Sequence, residues 1–181
     1  MNLLEKFRDI HTFIFDIDGV FTNSDLIILE NGKLLRKMNV RDGYAVKRAI
    51  HAGYKICIIT GGSSEGVTSR LKGLGISDIY TGISDKLDAF EEFIITYEID
   101  SAGILYMGDD IPDYKPMRLA GLPCCPQDAA NEIVEISQYI SPKKGGDGCV
   151  RDVIEKVMKL HGKWFDEAPK PQANNHSIEK N

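Results

Sequence analysis

The clearest candidates for chemical function are Asp16 and Asp18, which directly follow the apolar run Phe13-Ile14-Phe15. Alternate side chains of a strand share a face, so both carboxylates could face one cleft where a buried strand ends. Gly19 would then allow the chain to turn sharply away. Two carboxylates held so close repel each other, and a divalent cation relieves that repulsion. The same Asp-x-Asp pattern also occurs in calcium loops and in solvated turns, so by itself it leaves the chemistry open.

Two further apolar runs end in polar groups that suit phosphate and metal chemistry. Residues 55–59 are followed by Thr60-Gly61-Gly62, and residues 104–107 by Gly108-Asp109-Asp110 with Asp113 close behind. Between them, Asp85-Lys86 opens an amphipathic stretch. Ligands of open α/β sheets bind at the carboxyl ends of the strands. The order therefore predicts that these groups converge at one edge of a sheet.

The elements that must position these groups alternate between strands and helices. Apolar runs predict strands near 11–17, 55–60, 78–80, 103–107, 122–125 and 139–140. Helical patterns predict helices near 42–52, 64–73, 85–98, 126–135 and 148–160, with a short one from Pro112. Such alternation is typical of a parallel sheet covered on both faces. We therefore expect an α/β fold, a Rossmann-like three-layer sandwich with a mostly parallel central sheet.

A β-hairpin is predicted to protrude after the first strand, at about residues 20–38. Its arms, Leu26–Leu29 and Lys33–Met38, flank Glu30-Asn31-Gly32, and Asn-Gly is a strong hairpin signal. Four consecutive apolar residues in one arm indicate that both of its faces are buried. A small domain cannot easily bury both, so the arm points to contact with another subunit. The alternative is a tolerated, aggregation-prone edge.

Length and composition favour one globular domain, which we assign to residues 1–165. The chain has 181 residues, of which 43% are hydrophobic and 27% charged. A net charge of -5 and a pI near 5.4 argue against a nucleic-acid or anionic-membrane partner. The amino terminus lacks a signal-type apolar core and no apolar run suits a membrane span, so we expect a cytoplasmic protein. The polar, proline-bearing residues 166–181 predict a disordered tail.

Taken in order, the polar groups resemble the four motifs of the haloacid dehalogenase-like phosphatase superfamily. Asp16-x-Asp18-Gly19 matches the first motif, Thr60 the second, Lys86 the third and Gly108-Asp109-Asp110-x-x-Asp113 the fourth. The match extends over residues 10–160. The intervals between the motifs are filled by the predicted elements and leave no room for the separate cap domain that many members carry.

The resemblance implies a catalytic role for four of these residues. Asp16 would be the nucleophile that forms an aspartyl-phosphate. Asp18 would be the general acid for the leaving alkoxide and then the general base for water. Thr60 and Lys86 would bind the transferring phosphoryl group and stabilise its charge.

A Mg²⁺ cofactor is also implied. Its protein ligands would be Asp16, the backbone carbonyl of Asp18, and Asp109, all oxygen donors of the kind that magnesium prefers. Asp110 and Asp113 would make indirect contacts, through water or through the other ligands. The alternative for this acidic segment is a solvated turn in which an aspartate caps the next helix.

Further segments resemble one capless subfamily, the phosphatases of 3-deoxy-D-manno-octulosonate (KDO) 8-phosphate, which act in lipopolysaccharide sugar biosynthesis. They are Asp18-Gly-Val-x-Thr22, Asn31-Gly32, Arg41-Asp42-Gly43, Gly75-Ile76, Asp85-Lys86 and Gly145-Gly146-Asp147-Gly148. The resemblance implies a homotetramer in which hairpins form a central barrel and neighbouring subunits close each site. Phosphatases of nonulosonate 9-phosphates (KDN or N-acylneuraminate 9-phosphate) share most of these features and are the alternative.

By matching positions, the resemblance places substrate contacts on ten residues. They are Asn39, Val40, Arg41, Asp42, Gly43, Lys47, Gly61, Gly62, Arg70 and Lys86. A sugar acid that carries a carboxylate and a phosphate needs at least two cationic contacts. Many members have arginine where this chain has Gly62, so one expected cation is missing.

Two other classes of protein share part of this pattern. A phosphorelay receiver domain also combines an acidic cluster, Thr and Lys on a parallel sheet, but its paired acids precede the phosphate-accepting Asp. A catalytically silent assembly protein could have the same fold. The presence of every catalytic and metal-binding residue that the resemblance implies argues against this interpretation: Asp16, Asp18, Thr60, Lys86 and Asp109.

Overall fold

A computed structural model describes residues 2–165 of the chain; the predicted tail, 166–181, lies outside the described residues. The central sheet has the strand order β5-β4-β1-β6-β7-β8, with every neighbouring pair parallel. Its strands are β1 (Thr12–Phe15), β4 (Lys55–Ile59), β5 (Asp78–Tyr80), β6 (Ile104–Met107), β7 (Leu122–Cys125) and β8 (Tyr139–Ile140). The predicted α/β class and parallel sheet are confirmed.

Helices cover both faces of this sheet. They are α1 (Leu3–Asp9), α2 (Val40–His51), α3 (Glu65–Gly73), α4 (Lys86–Thr96), α5 (Tyr114–Leu119), α6 (Asn131–Ile136) and α7 (Cys149–Leu160). Two 3-10 turns, Ser101–Gly103 and Ile111–Asp113, precede β6 and α5. The pattern did not predict α1, whose capping box of Asn2 and Glu5 is a local signal that was available.

Alternation along the strands divides the core into two layers. Phe13 and Phe15 of β1 pack into one apolar cluster with α2, α3 and α7, whereas Ile14 packs into a second cluster with α4, α5 and α6. Such strands, buried on both faces, read as continuous apolar runs because helices cover each side. The three-layer sandwich follows directly from this pattern.

Helix α6 begins later than predicted. The pattern placed a helix from Pro126, but α6 starts at Asn131. The intervening segment is pulled into a turn instead, because the Ala130 amide donates to the Asp109 carbonyl at 2.8 Å. A tertiary hydrogen bond to the polar loop after β6 thus replaces the first helical turn.

The predicted hairpin is present, with shorter arms than expected. Strands β2 (Ile27–Ile28) and β3 (Leu34–Leu35) pair antiparallel, Ile27 with Leu35 and Ile28 with Leu34. These four side chains are exposed in the single chain. Within residues 2–165, the chain between β1 and α2 holds this hairpin and no cap domain.

Among the helices of residues 2–165, none has both the length and the apolar character that crossing a membrane requires.

Candidate active site

The first acidic pair lies at the carboxyl end of β1, in the middle of the sheet. The Asp16 amide still donates to the Met107 carbonyl at 3.1 Å, which holds Asp16 against the end of β6. Gly19 then turns the chain with φ of 92°. A Cβ on Gly19 would lie 1.9 Å from Asp109 Oδ2, so only glycine allows the two loops to approach this closely.

Lys86 brings a positive charge to this pair from the first turn of α4. The helix starts there because the Asp85 side chain caps it, accepting a hydrogen bond from Leu87 N at 3.0 Å. Lys86 Nζ lies 3.0 Å from Asp16 Oδ2 and 2.8 Å from Asp113 Oδ1, and the side chain is buried. Burial lowers the pKa of Lys86, but the charges of Asp113 and Asp16 outweigh it and raise the pKa above its usual value.

Asp113 is fully buried and orients its neighbours. Besides Lys86, its Oδ1 accepts a hydrogen bond from the Tyr106 hydroxyl at 2.9 Å, and its Oδ2 accepts one from the Asp109 amide at 3.3 Å. The carboxylate thereby fixes both the ammonium group and the loop that carries Asp109. Sequence reasoning missed Tyr106, although a tyrosine in a buried strand signals a hydroxyl that needs a partner.

Three carboxylates converge around one point. Oxygen atoms of Asp16, Asp109 and Asp113 all lie within 4.8 Å of one another. Asp16 Oδ1 and Asp109 Oδ1 are buried, and neither has a hydrogen-bond partner within residues 2–165. Burial and the charge of Asp113 raise the pKa of Asp16 to about 6, and burial and the charge of Asp16 raise the pKa of Asp109 to about 8. These oxygens fit a divalent cation, which would relieve both the repulsion and the missing contacts.

Thr60 continues β4 into the same cleft. Its side chain is buried, and its hydroxyl oxygen accepts a hydrogen bond from the Gly62 amide at 3.2 Å. The hydroxyl proton is therefore free to point into the cleft. With Asp16, Asp18, Gly61, Gly62, Lys86, Asp109, Asp110 and Asp113, Thr60 lines an open cleft of about 360 Å³.

Asp18 lines the same cleft and is paired with a partner that the sequence analysis did not identify. Arg36, which follows β3 in the hairpin, donates from Nε to Asp18 Oδ1 at 2.6 Å and from Nη2 to Oδ2 at 3.0 Å. The one available signal was a lone arginine next to an apolar hairpin arm. Its partner cannot be read from the chain, because the two residues meet only after the hairpin folds back.

Several predicted substrate contacts lie away from this cleft. Asn39, Val40 and Arg41 line a second cleft, of about 530 Å³, together with Lys143, Asp147, Gly148 and Arg151. Lys47 and Arg70 are exposed, and the Arg70 guanidinium lies against Gly43, where a Cβ would be 2.7 Å from Nη2. In the single chain, these residues do not share a cleft with Asp16.

Asp42 and Asp110 have structural contacts that differ from the predicted ones. Asp42 is fully buried, and its Oδ1 accepts a hydrogen bond from the Arg151 amide at 2.7 Å, so its side chain has no surface to offer a substrate. The exposed Asp110 accepts from the Ile111 amide at 2.8 Å and caps the 3-10 turn. This is the capping role considered as the alternative for that segment, although Asp110 also lines the cleft.

The glycine-rich segment 145–148 packs beneath the loop after β1. The Gly146 amide donates to the Val20 carbonyl at 2.9 Å, and the Gly145 amide donates to Asp128 Oδ1 at 2.9 Å. The segment also packs closely on the end of the Asp16–Gly19 turn, because a Cβ on Gly145 would lie 2.0 Å from the Gly19 carbonyl oxygen.

Known proteins resemble the chain over nearly its whole length, although no family model matches it. The 3-deoxy-D-manno-octulosonate 8-phosphate phosphatase KdsC of Escherichia coli is 34% identical over 92% of this chain and 88% of its own length. The corresponding enzyme of Moraxella catarrhalis, solved in complex with magnesium, phosphate and KDO, is 34% identical with a TM-score of 0.86 and covers 89% of this chain and 92% of its own.

Two further solved structures are similar to this chain. The phosphatase of Yersinia pestis is 31% identical, with a TM-score of 0.87 over 90% of this chain and 88% of its own. A HAD superfamily (subfamily III A) hydrolase of Legionella pneumophila is also 31% identical, with a TM-score of 0.87 over 90% of this chain and 89% of its own. The chain therefore belongs to the 3-deoxy-D-manno-octulosonate 8-phosphate phosphatases of the haloacid dehalogenase-like superfamily.

Proposed function

We propose that this protein is a magnesium-dependent phosphatase that hydrolyses KDO 8-phosphate to KDO and phosphate through an aspartyl-phosphate. The observation that carries the proposal is the meeting of Asp16, Thr60, Lys86 and Asp109 in one cleft of a chain that belongs to this family. Phosphate monoesters hydrolyse very slowly in water, so a catalyst must supply charge neutralisation and positioning. A buried ammonium among carboxylates supplies both.

Asp16 is the proposed nucleophile. One of its oxygens, Oδ2, is paired with Lys86, whereas Oδ1 is unpartnered within the described residues. In the first step a bond forms between Asp16 and phosphorus as the bond from phosphorus to the sugar oxygen breaks, and Asp18 gives that oxygen its proton. In the second step water, deprotonated by Asp18, attacks phosphorus and releases phosphate and the free Asp16 carboxylate.

The carboxylates of Asp16 and Asp109, with the backbone carbonyl of Asp18, would hold the magnesium ion. When bound, the ion neutralises charge on the phosphoryl oxygens. Asp113 keeps Lys86 and the Asp109 loop in place through its three hydrogen bonds. Thr60 donates its hydroxyl proton to a phosphoryl oxygen, and Lys86 pairs with another.

We also propose the tetramer that the sequence analysis predicted. Six apolar side chains of the hairpin, Leu26, Ile27, Ile28, Leu29, Leu34 and Leu35, are 37–73% exposed in the single chain. A patch of this kind is typical of a protein interface. Assembly through the hairpins would also allow the second cleft, with Arg41, Lys143 and Arg151, to face the site of a neighbouring copy and bind the sugar carboxylate.

A cytoplasmic location is proposed as well. Cys57, Cys124, Cys125 and Cys149 are all free and buried, which agrees with a reducing compartment.

Comparing substrates tests the proposed function. We expect kcat/KM for KDO 8-phosphate to exceed that for KDN 9-phosphate and N-acylneuraminate 9-phosphate by about tenfold or more, since one extra group that a pocket does not fit costs about 1–3 kcal/mol. A chelator should abolish turnover and added Mg²⁺ should restore it. A preference for either nine-carbon phosphate would refute the assignment in favour of a nonulosonate phosphatase, and turnover that survives the chelator would refute the metal requirement.

A further inference from the structure

Arg36 is directed inward in an otherwise exposed part of the hairpin. Its side chain is 7% exposed, whereas Leu34, Leu35 and Lys37 around it are exposed. The guanidinium lies beside the turn after β1 and holds both oxygens of Asp18, at 2.6 and 3.0 Å. A two-point pair of this kind fixes the orientation of a carboxyl group as well as its position.

The pair is fitted against the loop after β4. A Cβ on Gly62 would lie 3.0 Å from Asp18 Oδ2 and 3.2 Å from Arg36 Nη2, so the absence of a side chain at this position makes room for both groups. Arg36 Nη1 is buried and has no hydrogen-bond partner in the described part of the chain. The pair is thus sheltered from water on the guanidinium side, where electrostatic attraction is stronger than at an exposed surface.

We propose that Arg36 is a positioning residue for Asp18, holding the carboxyl group where it can deliver a proton to the departing oxygen of an alkyl phosphate. This rests on the proposed phosphatase function. When one oxygen of Asp18 carries the proton, the other can still accept a hydrogen bond from the guanidinium, so pairing and proton donation are compatible. Arg36 itself need not touch the substrate.

The leaving group distinguishes this role from a structural one. A sugar or glycerol alkoxide is a poor leaving group and needs a proton as its bond to phosphorus breaks, whereas p-nitrophenolate leaves as a stable anion. A misplaced Asp18 therefore slows the hydrolysis of alkyl phosphates but leaves the hydrolysis of p-nitrophenyl phosphate nearly unchanged. The comparison uses kcat/KM, which covers formation of the aspartyl-phosphate and excludes the later attack of water.

The experiment measures kcat/KM with Mg²⁺ for KDO 8-phosphate, glycerol 3-phosphate and p-nitrophenyl phosphate. For Arg36→Gln we expect a loss of about 100-fold on both alkyl phosphates and of less than about threefold on p-nitrophenyl phosphate, in the range for general acid catalysis. Arg36→Lys, which keeps the charge but loses the forked geometry, should fall between Arg36→Gln and wild type. Lys37→Gln, next to it on the exposed side, is the matched control and should match the wild type.

A double variant adds an independent criterion. In an Asp18→Asn background, Arg36→Gln should cause no further loss on the alkyl phosphates, because the group that it positions is already disabled. A further loss as large as that of the single variant would overturn the proposal.

The remaining outcomes are also decisive. Equal losses on all three substrates in both Arg36 variants would overturn the proposal in favour of a structural role. A loss confined to KDO 8-phosphate would overturn it in favour of direct binding of the sugar carboxylate, which glycerol 3-phosphate lacks. No loss in Arg36→Gln would overturn it outright. If the wild type hydrolysed none of the three, the proposed function would fail and this inference with it.

Discussion

At the scale of single residues, the site is defined by an imbalance of buried charge. Asp16, Asp109 and Asp113 place three carboxyl groups around one ammonium, that of Lys86. Buried charges are costly unless they are paired. Burial and the neighbouring carboxylates raise the pKa of Asp16 to about 6 and that of Asp109 to about 8, although Lys86 pairs with Asp16. A divalent cation is the partner that fits this deficit.

Replacing the proposed nucleophile should abolish turnover. Asp16→Asn removes the attacking oxygen but keeps the size of the side chain, so we expect kcat to fall by about 1,000-fold or more while the protein stays folded. Phosphate release and circular dichroism measure the two effects. The control is Asp88→Asn, an exposed carboxylate in the first turn of α4. Wild-type turnover in Asp16→Asn would refute the nucleophile assignment.

Magnesium affinity should depend on pH. In the metal-free protein, Asp109 with a pKa of about 8 and Asp16 with a pKa of about 6 bind protons that the metal must displace. Affinity should therefore fall as the pH drops from 9 through 8, and fall more steeply below 6. Titration calorimetry of metal-free protein at several pH values measures this. Asp109→Asn should flatten the change near pH 8; a constant affinity in the wild type would contradict the prediction.

At the scale of elements, Asp42 joins the start of α2 to the start of α7. It lies in the first turn of α2, and its carboxylate accepts a hydrogen bond from the Arg151 amide near the beginning of α7. The amide donors of a helix start need acceptors, and this carboxylate supplies one from another helix. Burial raises the pKa of Asp42 to about 6, although the backbone amides of Arg151 and Gly148 oppose the change.

The Asp42 link predicts a change in stability with pH. A carboxyl group whose folded pKa is raised stabilises the fold at low pH, and this stability is lost as the pH rises from about 4 through 6. In wild type the loss amounts to at most about 3 kcal/mol. Asp42→Asn keeps an acceptor without the charge, so it should be more stable than wild type at pH 7 and lack this component. Urea unfolding at pH 4, 5.5 and 7 measures the difference.

A second variant at this position serves as the comparison. Asp42→Ala removes the acceptor as well as the charge and should be less stable than Asp42→Asn by about 1 kcal/mol, the usual value of a helix cap. Equal stability of the two variants would show that the hydrogen bond to Arg151 contributes nothing.

In the molecule as a whole, the hairpin is the element whose apolar side chains a single chain leaves uncovered. Its apolar side chains project from the domain, while Arg36 on the same segment reaches back to Asp18. The same element therefore presents a surface for other copies and holds a group of the site. The site lies in an open cleft with no cap domain within residues 2–165. Closure of this cleft by neighbouring copies of the chain stays a prediction.

A charge in the hairpin should disrupt assembly without unfolding the protein. Ile28 is 73% exposed, so Ile28→Glu costs little in the single chain but on the order of 3 kcal/mol in a buried apolar interface. Light scattering should report smaller species than in wild type. Ile95→Glu is the matched control, because Ile95 is 74% exposed and lies on α4. A wild-type protein that is monomeric and active would contradict the predicted tetramer.

The sequence alone determined the sheet and the groups at its edge. Buried strands appear in the sequence as apolar runs, and a polar residue that the cleft requires follows each run. Asp16 follows Phe15 at the end of β1, and Thr60 follows Ile59 at the end of β4. Because parallel strands all end at the same edge, the order of motifs was enough to predict that Asp16, Thr60 and Asp109 meet.

Tertiary structure alone decided the contacts between groups far apart in the chain. Arg36 on Asp18, Tyr106 on Asp113 and Asp42 on the α7 amide each join segments whose distance depends on packing. No periodicity encodes such a pair, since a polar side chain takes the same pattern whether it faces water or a buried partner. The strand order brings the groups to one edge, and packing decides which of them touch.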